Sequence, residues 1–188
     1  MTVYTGPFSE IPLFRYDLIM ADPNWRFKTW SENGGGKGAS AQYDCASLED
    51  IAALRVADLA RPDCLLWLWS TNPMLPTALS VMKAWGFTFK TAGHWSKRNP
   101  KTNKQAFGTG YIFRVAGEPY LIGTIGSPKT TNSVRSVIEA PRREHSRKPD
   151  IAFEEAEKLM PGAKRIELFS RQPRDGWDTW GDEAEKFA

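Results

Sequence analysis

Apolar and polar positions along this chain form two different patterns, one typical of buried β-strands and one typical of α-helices. Five apolar segments have the length and composition of buried β-strands, at residues 16–21, 64–70, 87–95, 110–126 and 164–170. We predict that 110–126 forms two strands joined by a turn at 116–119. Three segments with helical spacing lie between the strands, at 47–54, 71–86 and 148–162. This alternation predicts an α/β fold with a mostly parallel sheet and an antiparallel hairpin at one edge.

The segment 71–86 carries the clearest helix boundaries. Asn72 is the expected N-terminal cap, Pro73 suits the first helical position, and Gly86 ends the helix. The apolar residues recur every three or four positions and predict one buried face, formed by Met74, Ala78, Met82 and Trp85.

Three stretches show neither the strand pattern nor the helix pattern. Residues 30–44 contain four glycines, so we interpret them as a loop. We interpret the basic residues 133–150 as an irregular connector that leads into the last helix. The residues after 170 form a polar tail that contains tryptophan.

Composition places few limits on function. The 188 residues suit one domain, spanning 1–188, and the net charge of +3 permits a nucleic-acid partner without requiring one. Cys45 and Cys64 lie in unrelated contexts and the two histidines show no ligand spacing, so we expect neither a disulfide framework nor a metal site. No apolar run reaches the roughly 20 residues of a membrane span, and the N-terminus resembles no signal peptide. We therefore expect a cytoplasmic protein that does not contact a membrane.

The strand at 16–21 ends in Asp22, Pro23, Asn24 and Trp25. Ligands of such sheets lie beyond the carboxyl ends of the strands, where we also expect Ser70, Trp95 and Arg171. Methylation of the exocyclic amine of a base requires hydrogen-bond acceptors for the two amine hydrogens. A carboxylate and a backbone carbonyl fixed by proline are such acceptors. An aromatic ring beside them can stack on the base. The alternative is a simple turn, because Asp, Pro and Asn are turn formers.

Six stretches, taken together and in order, resemble the MT-A70 family of adenine N6-methyltransferases. They are YDLIMADPNWRF, YDCASLEDIAAL, LLWLWSTNPMLPTALSVMKAWGF, GHWSK, EAPRREHSRKPD and IELFSRQPRDGWDTWGDE. The resemblance extends from about Gly6 to Glu183 and is strongest to the compact phage and prophage members. It implies a Rossmann-like methyltransferase that uses S-adenosylmethionine as the methyl donor.

The resemblance assigns the catalytic residues. The family's signature is Asp-Pro-Pro-Trp, which stands here as Asp22, Pro23, Asn24 and Trp25. Asp22 and the Pro23 carbonyl would accept hydrogen bonds from the adenine amine, and Trp25 would stack on the base. Asn24 departs from the family pattern, since it replaces a proline and restores a backbone N–H.

The resemblance also assigns residues to the donor. Lys148 would face the donor's carboxylate, Arg171 would contact its ribose or tail, and Glu167 would lie nearby on the last strand. Asp22 would border this site as well. The remaining donor residues are those of the C-terminal motif, Gly181, Asp182 and Glu183.

Two basic stretches are the predicted nucleic-acid contacts. The first stretch, 90–107, contributes Trp95, Lys97, Arg98, Lys101 and Lys104, and the second contributes Arg142, Arg143 and Arg147. Cations in such loops would grip phosphates and make binding dependent on salt. Trp95 has an equally suitable role in the core.

Three functions remain open from the sequence. Methylation of adenine in DNA is favoured. We expect the enzyme to recognise a short or relaxed DNA sequence, because the chain is compact. The same chemistry on RNA is the second alternative. The third is a silent family member that binds nucleic acid or acts as a scaffold, since Asn24 and Asp182 depart from the family motifs. A homodimer is compatible with each of them.

Overall fold

The computed structural model describes residues 6–25, 47–144 and 147–181. Its strands are β1 (Tyr16–Ala21), β2 (Ala60–Trp69), β3 (Thr88–Arg98), β4 (Gly117–Ile125), β5 (Val137–Pro141), β6 (Arg165–Leu168) and β7 (Trp177–Trp180). Its helices are α1 (Leu48–Ala53), α2 (Leu75–Ala84) and α3 (Asp150–Leu159), with 3₁₀ turns at Val56–Leu59 and Asn72–Met74. The glycine-rich residues 30–44 and Cys45 lie outside the described residues.

All seven described strands form one sheet in the order β5-β3-β4-β2-β1-β6-β7. The pairs β1–β2, β1–β6, β6–β7 and β3–β5 are parallel. β4 is antiparallel to both of its neighbours, β2 and β3. It follows that β4 runs opposite to the other six strands, and the predicted α/β class with a mostly parallel sheet is confirmed.

The register aligns the carboxyl ends of the three central parallel strands. Ala21 is paired with Leu68 of β2 and with Leu168 of β6. The residues that follow these positions therefore emerge at the same edge of the sheet. Because β4 is reversed, its first residues reach this edge too.

The predicted hairpin at 110–126 is wrong. Residues 110–116 form no strand, and Gly117, Glu118 and Pro119 lie within β4 instead of in a turn. Gly117 is required by close packing, since a Cβ there would lie 2.1 Å from the carbonyl oxygen of Trp95. The antiparallel strand is accordingly internal to the sheet.

Two edge strands lie in stretches that were interpreted as irregular. β5 lies within the predicted connector, and β7 lies within the polar tail. Of the five residues of β5, only Ile138 and Ala140 are buried, and β7 buries Trp177 at its start. Strands with so few buried positions give a weak apolar signal, which explains why the pattern missed them.

The helix at 71–86 is confirmed, with a different start. Thr71 precedes a 3₁₀ turn and α2 begins only at Leu75, so Asn72 is not the cap. Pro76 has no N–H to continue the hydrogen bonds of the preceding turn, and it occupies the first turn of α2. The predicted buried face and the end at Gly86, whose φ is 84°, are confirmed.

The core occupies both faces of the sheet. One face packs against α1 and α2, where the Trp85 indole donates to the carbonyl of Ile51 at 2.8 Å. The other face packs against α3 and is rich in aromatic rings, with Trp67 and Tyr120 stacked 4.2 Å apart. Within the described part of the chain, none of the helices has the length and apolar character needed to cross a bilayer.

Candidate active site

A cleft of about 1060 Å³ opens at the carboxyl edge of the sheet. The four positions that the sequence predicts at this rim, Asp22, Ser70, Trp95 and Arg171, all line it. Its other walls come from the segment 106–115, from the start of β4 and from the residues after β5. The cleft therefore lies where α/β sheets bind their ligands.

Asp22 is buried at the inner end of this cleft, with 9% of its surface exposed. Its Oδ2 accepts hydrogen bonds from Lys148 Nζ at 2.7 Å and from Arg171 Nη1 at 3.0 Å. Lys148 Nζ also lies 3.2 Å from Glu118 Oε2. Both carboxylates are thus paired with cations, and Glu118 also pairs with Lys97. Such pairing is the condition for burying charges in a protein.

The charge network fixes the protonation of Glu118 and Lys148. Burial disfavours the ionised form of Glu118, but the charges and hydrogen bonds of Lys148 and Lys97 lower its pKa to about 2. Burial likewise disfavours the ammonium of Lys148, and the carboxylates of Asp22 and Glu118 outweigh this effect and raise its pKa. Both groups are charged at neutral pH, and the network is an ion cluster.

The backbone after Asp22 turns sharply, and the side chains that follow are fixed by distant partners. The Trp25 N–H donates to the Pro23 carbonyl at 2.8 Å, and the Trp25 indole donates to the carbonyl of Trp69 at 3.0 Å. Trp25 is 4% exposed and borders the cleft. Asn24 accepts a hydrogen bond from Arg171 Nη2, so Arg171 contacts both Asp22 and Asn24.

Glu167 lies on β6 behind Asp22 and is 8% exposed. Burial raises its pKa to about 7, although the Ser170 hydroxyl donates to its Oε2 at 2.8 Å and opposes the shift. The charge of Asp22 adds to the rise. Glu167 consequently exchanges its proton near neutral pH, unlike Glu118.

This raised pKa predicts a pH-dependent stability. The folded protein keeps the Glu167 proton up to about pH 7, whereas the unfolded chain loses it near pH 4.3, so the free energy of unfolding falls as pH rises between these values. We expect the wild type to lose about 2 to 3 kcal/mol more than Glu167→Gln between pH 4.5 and 8. Urea unfolding of both proteins at the two pH values measures this difference. Equal losses in the two proteins would show that Glu167 titrates normally.

A smaller cavity of about 20 Å³ adjoins the network and is lined by Glu167, Arg171 and Gln172, among others. The Gln172 side-chain oxygen is buried and has no hydrogen-bond partner among residues 6–25, 47–144 and 147–181. Gly181 packs against the Ser170 backbone, where a Cβ would lie 2.8 Å from the amide nitrogen. Asp182 and Glu183 lie outside the described residues.

The side chains around Asp22 have the chemistry of a site for S-adenosylmethionine. Lys148 and Arg171 suit a carboxylate, and Asp22 and Glu118 suit an ammonium. The buried Gln172 oxygen, which no other residue of the described part of the chain contacts by a hydrogen bond, suits a ribose hydroxyl. The large cleft has room for a donor and a base together. The residues present therefore fit the donor.

The predicted nucleic-acid residues lie in different environments. Lys97 pairs with Glu118, Arg98 with Glu139, Arg143 with Asp150, and Arg147 with Glu144 at 3.2 Å. Lys101 and Lys104 are exposed beyond the cleft. Arg142 is exposed and lines the cleft, as do Lys97, Arg143 and Arg147.

Trp95 is a core residue. It is 2% exposed, its indole donates to the Ala140 carbonyl at 3.0 Å, and its ring packs edge-on against Trp69 at 6.4 Å. Lys97 Nζ covers the ring at 4.7 Å. Because Trp95 is buried and Lys97 covers its ring, the structure does not support the prediction that Trp95 stacks on nucleic acid.

Sequence reasoning missed Glu118 as a site residue. Glu118 stands between Gly117 and Pro119, and this composition was interpreted as a turn. Its position opposite Trp95 in the β3–β4 pair directs it to the cleft. No periodic sequence signal marks Glu118, since the burial pattern along β4 does not alternate.

Comparisons with known proteins identify the family of this chain. A family model described as MT-A70 matches residues 16–183. The type II methyltransferase M.MunI of Mycoplasma sp is 29% identical over 93% of this chain and 80% of its own length. The human N(6)-adenine-specific methyltransferase METTL4 is 26% identical over 94% of this chain and 40% of its own length. The N6-methyladenosine RNA methyltransferase MTA1 of Cryphonectria parasitica is 28% identical over 95% of this chain and 54% of its own length.

These relatives differ in how much of them the chain represents. It spans most of the mycoplasma protein, but about half or less of the human and fungal ones. None of the three is a phage protein, so the resemblance to phage-type members gains no support.

Proposed function

Because the chain belongs to the MT-A70 family of S-adenosylmethionine-dependent adenine N6-methyltransferases, we propose that it methylates the N6 amine of adenine in DNA as a single domain. The observation that carries the proposal is the placement of the Asp22 carboxylate. It lies at the inner end of the cleft, next to the Pro23 carbonyl and Trp25, and is held by two cations from the C-terminal half.

DNA is favoured over RNA by the pattern of matches. Of the three relatives named above, the mycoplasma protein is spanned most completely, at 80%, and bears the name of a type II methyltransferase. The fungal protein named as an RNA methyltransferase is spanned to 54%. An RNA substrate is the second candidate because of that relative.

In this reaction the protein must activate and orient a weak nucleophile, the N6 amine of adenine. The lone pair of an aromatic amine is delocalised into the ring, so the amine attacks poorly. In the proposed complex the Asp22 carboxylate and the Pro23 carbonyl accept the two amine hydrogens, which lets the nitrogen pyramidalise. Such fixed acceptors stabilise the charge that develops as the amine attacks. The proton leaves the nitrogen towards Asp22.

The donor supplies an electrophilic methyl group on a sulfonium. Lys148 and Arg171 would hold its carboxylate, Glu118 or Asp22 its ammonium, and Gln172 a ribose hydroxyl. Orientation of two reactants in this way supplies on the order of 7 to 11 kcal/mol of a barrier. Water is kept from the inner end of the cleft by Trp25, Ser70 and Trp95, which are buried there.

Trp25 is proposed to form the wall on which the base stacks. Trp25→Leu removes the aromatic plane and keeps an apolar side chain, so we expect KM for the nucleic acid to rise about 5- to 150-fold, since stacking contributes about 1 to 3 kcal/mol per base. Trp25→Phe keeps a ring and loses only the hydrogen bond to Trp69, and a smaller rise is expected. Steady-state kinetics at saturating donor measure both, and an unchanged KM in Trp25→Leu would remove Trp25 from the base site.

The proposed function is tested by incubating the protein with methyl-labelled donor and either duplex DNA or RNA. Nucleosides are then separated, and label is expected in N6-methyladenine from DNA. Label in RNA alone would favour the second candidate. A protein that shows no heat on titration with S-adenosylmethionine and no label in either polymer would be a silent family member, as Asn24 allows.

A further inference from the structure

The segment 107–115, called here the rim loop, carries exposed apolar side chains beside the cleft. Ile112 is 89% exposed, Phe113 84%, Phe107 59% and Tyr111 51%. Adjacent exposed apolar residues on a protein surface usually mark an interaction site. The chemistry proposed above uses none of these four side chains.

The rim loop is held in a defined shape. The Gly108 N–H donates to the Val115 carbonyl at 2.8 Å and closes its base. Gln105 ties that base to β3 and to the residue before β4, through bonds of 2.9 and 3.0 Å to the carbonyls of Lys97 and Ala116. A Cβ at Gly110 would lie 2.1 Å from the Phe113 carbonyl, so only glycine allows the tip to fold back. The exposed side chains therefore project from a loop whose backbone conformation is fixed by hydrogen bonds and close packing.

The loop is continuous with the cleft and interleaved with cations. Phe107, Gly110 and Arg114 line the cleft, and the Arg114 guanidinium covers the Phe107 ring at 4.9 Å. The exposed Arg142 lines the cleft as well. Aromatic rings combined with cations are the surface on which proteins stack unpaired bases, and stacking contributes about 1 to 3 kcal/mol per base.

We propose that the rim loop is a nucleic-acid contact surface whose exposed side chains stack on unpaired bases adjacent to the adenine in the cleft. The proposal rests on the proposed function, since the adenine defines where the strand runs. A second copy of the chain is a poorer occupant. A stable dimer buries roughly 800 Å² per partner through about 20 to 30 residues, whereas this loop offers four apolar side chains flanked by cations.

The test compares two double variants by fluorescence anisotropy with a fluorescein-labelled 20-nucleotide single-stranded DNA. Ile112→Ser with Phe113→Ser is expected to weaken binding at least tenfold. The matched control, Leu79→Ser with Phe89→Ser, removes two exposed apolar side chains of α2 and of the far end of β3, and is expected to stay within about twofold. Phe113→Tyr keeps the ring and is expected to bind like the wild type. Calorimetry with S-adenosylmethionine, expected to be unchanged, verifies that the variants are folded.

Unchanged affinity in the rim variant would overturn the proposal. It would also be overturned if sedimentation showed a wild-type dimer that the rim variant dissolves, because the loop would then bind a second copy. The methylation assay separates a failure of the stacking surface from a failure of the proposed function. If the wild type methylates adenine and the rim variant binds normally, the stacking surface fails alone. If the wild type transfers no methyl group and the rim variant still loses affinity, the proposed function fails alone.

Discussion

Asp22→Asn is expected to reduce the rate of methyl transfer by about 10²- to 10³-fold, the cost of removing one preorganised electrostatic partner from an active site. Asparagine has nearly the same shape, but its amide carries no negative charge and one of its ends donates instead of accepting. The adenine amine then loses the acceptor that draws off its proton. Single-turnover rates at saturating donor and DNA measure the chemical step directly.

The control for this variant is Asp63→Asn. Asp63 lies near the start of β2, at the end of the sheet opposite the cleft, and accepts the Ser127 N–H at 2.7 Å, a bond that asparagine can keep. We expect this variant to react within about twofold of the wild-type rate. A folded Asp22→Asn protein with an unaltered rate would show that another group accepts the amine proton.

Lys148→Met is expected to lower the free energy of unfolding by about 1.5 to 3 kcal/mol, because two buried carboxylates lose a charge-assisted hydrogen bond. Each carboxylate keeps one cation, Arg171 on Asp22 and Lys97 on Glu118. The Lys148 side chain is 9% exposed and neutralises both Asp22 and Glu118. Methionine fills a similar volume without the charge. The same change removes a cation from the proposed donor site, so we also expect affinity for S-adenosylmethionine to fall about 10- to 100-fold.

Urea unfolding and isothermal calorimetry measure the two effects separately. The matched control is Lys158→Met on α3, where the lysine is 58% exposed and pairs with Glu155. An exposed pair contributes little, and a change within about 1 kcal/mol is expected. If Lys148→Met and Lys158→Met unfold alike, the cluster around Asp22 does not contribute to stability.

Strand and helix positions along most of the chain could be predicted because their burial leaves a periodic apolar pattern. The run at 16–21 and the face of α2 are examples, and both match the structure. β5 and β7 bury few side chains and leave no such pattern. The reversal of β4 could not be predicted, since the direction of a strand depends on packing between distant segments and on Gly117 fitting against Trp95.

Site residues could be predicted where they belong to a local sequence motif. They could not be predicted where they reach the site only through contacts between distant segments of the chain. Asp22 meets Lys148 and Arg171 across 126 and 149 residues. A resemblance could place these residues at one site, but it could not show that they bind each other. Glu118 has no local motif, and the cations Lys97, Arg98 and Arg143 proved to be paired within the protein.

Asn24 shows what a departure from a family motif can add. Proline at this position would have no side-chain acceptor for Arg171, whereas the Asn24 amide oxygen accepts one of its hydrogen bonds. Arg171 is thereby attached to both ends of the Asp22–Asn24 segment. This contact keeps the acid oriented even though one proline of the motif is missing, and it is consistent with a competent site.

In the proposed enzyme, Asp22 and the residues around Lys148 and Arg171 converge on one adenine nitrogen. Mass spectrometry of nucleosides from duplex DNA, after incubation with methyl-labelled donor and either wild type or Asp22→Asn, tests it most directly. We predict N6-methyladenine with the wild type and almost none with Asp22→Asn at saturating donor, while urea unfolding shows that the variant is folded. Label on a cytosine amine, or equal N6-methyladenine from both proteins, would contradict the claim.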